Sequence, residues 1–137
     1  MRVVINTNVI VAAFLRPGSH ADRILRLVLQ GEVEIALNER ILSEYTEVLA
    51  RERFGLPVDA VETVIERLRA VGFPAPAYPG TILLPDAGDV PFVEVALAAR
   101  ADALITGNVR HYPKKACSGL AVLTPRQFAG RLRADTG

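Results

Sequence analysis

Seven polar residues stand where apolar segments of the sequence break off: Asn6, Asn8, Glu44, Asp86, Asp89, Thr106 and Asn108. Carboxylates and amides together make a set of hard oxygen donors. Such donors suit Mg²⁺ or Mn²⁺, cations that keep several waters and often bridge to phosphate oxygens. A site of that composition would orient and activate water for phosphodiester cleavage. The chain has no C-x-x-C, H-E-x-x-H, Walker A or G-x-S-x-G run, which weighs against zinc, nucleotide-loop and serine-hydrolase readings. Each residue also has an ordinary structural use. Asp86 and Asp89 would cap a helix, and Asn6, Asn8 and Asn108 would form turns after strands. Thr106 is an unexceptional strand-end residue, and Glu44 would reach solvent or an arginine. Taken singly, those uses are the better reading; joint placement at one sheet edge shifts the balance.

The elements that must position these residues begin with RVVINTNVIVAAFL, from Arg2 to Leu15. Val3-Val4-Ile5 reads as a strand buried on both faces, and Val9 to Leu15 as a helix packed back on it, with Asn6-Thr7-Asn8 between. In an α/β sheet, ligands bind where the carboxyl end of a strand hands over to a helix. Ser19, with Asp22 three residues on, predicts the N-cap of a second helix that ends near Gly31. Val33 to Leu37 alternates as a second strand, and Asn38 caps the next helix. Between Glu39 and Arg53, the residues Ile41, Leu42, Tyr45, Val48 and Leu49 share one helical stripe. Glu44 projects from its apolar flank, whereas Glu47 sits four residues before Arg51 as an exposed helix pair would.

Pro57 and Asp59 start another amphipathic helix, which Gly72 ends. Residues 73–85 are proline-rich and read as extended, with Ile82-Leu83-Leu84 as a short strand. Pro91 belongs in the first turn of a helix carrying Phe92, Val93, Ala96, Leu97 and Ala99 inward. Ala103-Leu104-Ile105 is a buried strand ending in Thr106-Gly107-Asn108. Leu120 to Leu123 is a last strand, and Pro125 opens a helix with Phe128 and Leu132 inward. This alternation argues for a parallel sheet covered by helices. Asn6 and Asn108 would then end two strands at the same edge, with Asp86 and Asp89 ahead of a helix beside them.

The length of 137 residues fits a single domain, residues 1–137, with a core that needs no staples. Half of the residues are hydrophobic and 23% are charged, ordinary values for a soluble protein. No apolar run reaches a membrane span, no signal peptide is apparent, and the single Cys117 suits a reducing compartment. The expectation is a cytoplasmic protein with no membrane partner. A net charge of +1 leaves any nucleic-acid surface to a local patch. Arg110, His111, Lys114 and Lys115 form one, read either as a solvated loop or as a phosphate-holding rim. His111 reads as a surface or substrate contact rather than a metal ligand, since no second histidine stands at ligand spacing. His20 should be exposed near a cap.

RVVINTNVIVAAFL resembles the opening of PIN-domain proteins, whose usual form is an apolar strand followed by Asp-Thr-Asn. LNERILSEYTEVLAR is similar to their second motif. DAGDVPFVEVALAARADALITGNVRHYP with LAVLTPRQF resembles the PIN-type, VapC-like toxin components of bacterial toxin-antitoxin pairs. The resemblance covers nearly the whole chain. It implies a three-layer α/β/α sandwich with a central parallel sheet, an acidic pocket for Mg²⁺ or Mn²⁺, and metal-dependent cleavage of RNA. It also implies a small antitoxin partner and a homodimer. By position, Asn6, Glu44 and Asp89 take the places of the first three acidic ligands, with Asp86 close by and Asn108 in place of a fourth. Asn8 and Thr106 would support the pocket. The chain departs from the family at Asn6, a neutral residue where aspartate is usual. That departure leaves open a weakened enzyme or a catalytically silent module that binds RNA or protein.

Overall fold

A computed structural model describes residues 1–136. Its centre is β1 (Arg2–Ile5), in which Val3, Val4 and Ile5 have no solvent exposure, as a strand covered on both faces requires. The chain continues through α1 (Thr7–Leu15) and α2 (His20–Leu29) to β2 (Glu34–Leu37), then α3 (Glu39–Leu49) and α4 (Val58–Val71) to β3 (Phe73–Pro74). A long connection leads to α5 (Val90–Ala98), β4 (Ala103–Ile105), β5 (Val122–Leu123) and α6 (Pro125–Thr136). All strands pair in parallel in the order β3-β2-β1-β4-β5. The architecture is the expected α/β fold, a central parallel sheet with six α-helices.

Connections from β1 step outward through β2 to β3, while β4 and β5 extend the sheet the other way. The strand order therefore reverses between β1 and β4. In open parallel sheets, that reversal opens a crevice at the carboxyl ends of the strands. Ile5 pairs with Ile105, which places Asn6 and Thr106 together at the mouth of the crevice. The opposite edge is closed by Arg2, whose backbone N–H donates to Asp102 at 2.8 Å and whose guanidinium donates to the Ala99 carbonyl and pairs with Glu34.

Local signals explain most helix boundaries. Ser19 accepts from the Asp22 N–H at 3.1 Å, Asn38 from the Ile41 N–H at 2.9 Å, and Pro91 lies in the first turn of α5. Three expectations change. α1 begins at Thr7 rather than Val9, because the Asn6 side chain caps it. α3 stops at Leu49, short of Arg53, and a separate 3₁₀ turn covers Glu52–Phe54. Ile82-Leu83-Leu84 forms no strand, since Phe73–Pro74 already occupies the sheet edge beside β2 and only Ile82 is buried.

Gly72 ends α4 in extended backbone, φ −69° and ψ 148°, which any residue adopts. Its requirement is space: a Cβ there would lie 2.7 Å from the Leu68 carbonyl oxygen and 2.9 Å from Leu37 Cγ. Gly72→Ala should therefore destabilise the fold by about 1–3 kcal/mol through overpacking between α4 and β2. Equilibrium denaturation should show an earlier midpoint for the variant; an unchanged or later midpoint would mean the contact relaxes freely.

Candidate functional site

The crevice mouth is assembled from strand ends whose backbones continue the sheet. The Asn6 N–H donates to the Ile105 carbonyl at 2.9 Å, extending the β1–β4 ladder by one residue. Asn6 is 7% exposed, and its Oδ1 accepts the Asn8 N–H at 3.1 Å as the cap of α1. That bond fixes which way the amide faces, so Nδ2 points to the Tyr112 hydroxyl and donates to it. Thr106 has no exposure, and its Oγ1 accepts the Asn108 N–H at 3.1 Å, folding the chain back over the strand end. Exposed Asn8 accepts the Gly107 N–H at 3.1 Å and so ties α1 to the loop after β4.

On the α5 side, Asp86 caps the 3₁₀ turn Ala87–Asp89 by accepting the Gly88 N–H at 2.8 Å. Asp89 Oδ2 lies 3.1 Å from His111 Nδ1, and His111 Nε2 lies 2.8 Å from Asn108 Nδ2. With the Asn108 amide donating to Nε2, the ring proton sits on Nδ1 and is donated to Asp89. Among the described residues, ligand atoms of Asp86, Asp89 and His111 all fall within 4.8 Å of one another. To ligate a cation the ring must carry its proton on Nε2, with the Asn108 amide turned to accept it. Two carboxylates and the freed Nδ1 then make a donor set that fits a divalent first-row cation, and the imidazole favours Mn²⁺ over Mg²⁺. His111, expected on the rim, thus stands inside the acidic group.

Glu44 lies outside that group. It projects from α3, half-buried, and accepts a hydrogen bond from the Thr7 hydroxyl at the start of α1. The sequence-derived residues therefore share one edge but form two clusters. Glu44, Thr7 and Asn8 make one; Asp86, Asp89, His111 and Asn108 make the other. Asn6 links them. Arg110, Lys114 and Lys115 are exposed along the chain after β4.

Tyr112 is the residue that sequence reasoning missed. Its side chain is buried, with the residue 3% exposed, and its hydroxyl reaches both Asn6 and Asp89. Because Asn6 can only donate through Nδ2, the phenol's own hydrogen is left for Asp89. Burial pushes the Tyr112 pKa far up, and the Asp89 charge adds to that, against the Asn6 hydrogen bond. Burial likewise raises that of Tyr45, with the Glu44 charge adding, where the hydroxyl donates to the Ile5 carbonyl. The sequence carries no signal for it: Tyr112 stands among Arg110, His111, Lys114 and Lys115 with nothing to mark it as turned inward.

Comparison with known proteins agrees with this fold. The PIN-domain family profile matches residues 2–110, and the chain belongs to the PIN-domain family. Among solved structures, it is similar to one chain of the crystal structure of VapBC2 from Rickettsia felis bound to a DNA fragment from their promoter. That similarity has a TM-score of 0.63 and 17% identity, over 90% of this chain and 98% of that one. At this identity the likeness shows the fold. No curated protein matches the chain significantly.

Removing the phenol hydroxyl in Tyr112→Phe leaves Asn6 Nδ2 without its partner in a buried setting, which should cost about 1–3 kcal/mol. The pH dependence has a definite sign. Both raised tyrosines stay protonated in the folded chain while their unfolded counterparts ionise near 10.0, so their stabilising contribution is intact below that pH and is lost as pH rises above it. Denaturation across this range should show alkaline destabilisation, shallower in Tyr112→Phe. An identical alkaline slope in both proteins would contradict the buried neutral phenol.

Proposed function

We propose that this chain is a metal-dependent endoribonuclease of the PIN type, the toxin component of a toxin-antitoxin pair. The observation that carries the reading is the meeting of Asp86, Asp89 and His111 at the switch point of a parallel sheet, with Asn6 linking that group to the separate Glu44 cluster. Asp86, Asp89 and His111 would hold the cation, Mn²⁺ or Mg²⁺. A divalent ion there supplies Lewis-acid polarisation of a phosphate oxygen and makes nearby water more acidic. Glu44, with one oxygen held by Thr7, keeps its other oxygen to take a proton from the attacking water. Asn108 orients the His111 ring, and Asn8 and Thr106 hold the loops that carry the site. Arg110, Lys114 and Lys115 would hold the RNA backbone without reading its sequence. A small antitoxin partner and a homodimer accompany this reading; the VapBC2 likeness supports the fold of such a toxin.

A specific observation favours a second reading, a silent PIN domain that binds RNA or protein. Asn6 spends its amide on Asn8 and Tyr112, replacing charge with a neutral hydrogen-bond link. Divalent affinity in oxygen sites follows ligand charge and count, so metal binding should be weak as the chain stands.

Two experiments separate the readings. Labelled RNA with Mn²⁺ should be cut slowly, and chelator or the pair Glu44→Gln with Asp89→Asn should stop it. No cleavage by the unaltered chain would favour the silent module; cleavage surviving both treatments would reject this site. In the second, Asn6→Asp should raise Mn²⁺ affinity and cleavage together. It should also lower stability in chelator, because a new charge faces Asp89 across Tyr112. Calorimetric titration and thermal melts report these effects. Equal affinity in the two forms would show that position 6 contributes no metal ligand.

A further inference from the structure

A groove of about 370 Å³ runs outward from the Glu44 cluster between α1 and α3. Val11 and Val48 form its half-buried apolar floor, Asn8 and Glu44 stand at the end nearest the crevice, and Arg53 and Phe54 form its outer lip. The lip exists because α3 stops at Leu49. The 3₁₀ turn Glu52–Phe54 then carries the chain to Gly55, which ends it in left-handed backbone with φ 59°. An uninterrupted helix to Arg53 would have carried these side chains elsewhere.

Three features give the groove a chemical character. Phe54 offers a partly exposed ring, and the Arg53 guanidinium lies 4.8 Å from its centroid. Arg53 makes no ion pair among the described residues; its guanidinium covers one face of the Phe54 ring, which leaves the other face for a base and sets the charge at the lip beside it. Asn8 spends Oδ1 on Gly107, which leaves its Nδ2 hydrogens as donors at the inner end. Aromatic face, adjacent guanidinium and amide donor are the means by which proteins seat an unpaired base: stacking on one side, an edge hydrogen bond, and a cation for the backbone. The volume falls within the range of small-ligand sites.

We propose that this groove is a nucleobase subsite, which seats the base of a nucleotide flanking the scissile phosphate by stacking on Phe54. The inference rests on the RNA-cleavage reading above, and deepens it. A strand whose phosphate lies between the Asp89 group and Glu44, the proton acceptor of that reading, must send a neighbouring base somewhere, and this groove has Glu44 at its inner end. A seated base would also fix the phosphate's position, so single-stranded RNA is the class of substrate it takes. A paired base keeps its faces within the helix and cannot enter.

The test uses the full chain in chelator, so that binding is read without cleavage. Fluorescence anisotropy is recorded with single-stranded oligo(A) and with an abasic oligomer of equal length and charge. Phe54→Ala should weaken oligo(A) binding roughly tenfold, the scale of losing one base–aromatic stack, with the salt slope unchanged. Phe54→Trp should restore it, and the abasic oligomer should bind both variants alike. Equal binding of oligo(A) by unaltered chain and Phe54→Ala overturns the subsite, as does an equal loss for both oligomers. A measurement on the unaltered chain guards against a misfolded variant. With 2-aminopurine placed at successive positions, one position should lose emission on binding, and no position doing so overturns the subsite. If the unaltered chain binds no single strand in chelator and also leaves labelled RNA uncut with Mn²⁺, the RNA-cleavage reading fails and the subsite fails with it; cutting without such binding overturns the subsite alone.

Discussion

Because β1 and β4 pair in parallel with Ile5 opposite Ile105, the chain leaves the sheet at two neighbouring points. Residues about a hundred positions apart thereby share one edge. The Asn6 N–H bond to the Ile105 carbonyl extends the pairing by one step, and the turn at Thr106 starts from the same level. Everything polar at the site is then placed relative to these two exits: α1 is capped by Asn6, Gly107 is tied to Asn8, and the chain after Asn108 returns His111 to Asp89. A slip of one residue in this register would turn each of those side chains to the other face of the sheet.

The fold was legible because its strands and helices carry separate signals. Val3-Val4-Ile5 and Ala103-Leu104-Ile105 are short, apolar and bounded by polar residues, and their burial is complete. Ser19, Asn38 and Pro91 announce helix starts through local chemistry that tertiary packing did not override. What failed was tied to context. Ile82-Leu83-Leu84 has the composition of a strand but no free sheet edge, and α3, expected to run to Arg53, ends with its apolar stripe at Leu49 before the separate turn at Glu52. Gly72 resembles a left-handed helix cap, yet its reason is the closeness of Leu37 and Leu68, which only three dimensions reveal.

The candidate site was legible residue by residue and not as a geometry. Asp86 and Asp89 meet as spacing suggested, but Glu44 attaches to Thr7 and stands apart from them. His111 could not be assigned from spacing, because its partners come from a loop more than twenty residues earlier and from Asn108. Tyr112 escaped for a similar reason: nothing in a run of basic residues marks a phenol that turns inward. Its position explains how a neutral Asn6 is accommodated. The amide donates where a carboxylate would have to accept, and the phenol passes the polarity on to Asp89.

The central claim is that Asp86, Asp89 and His111 are a cation-holding group. The most direct measurement is paramagnetic broadening by Mn²⁺ in the NMR spectrum of the isotope-labelled chain at substoichiometric metal. The account predicts that backbone signals of Gly88, Asp89 and His111 fade first, those at the start of α1 next, and those around Arg2 at the opposite edge last. Broadening spread evenly over the acidic surface, or centred away from Asp89 and His111, would contradict it.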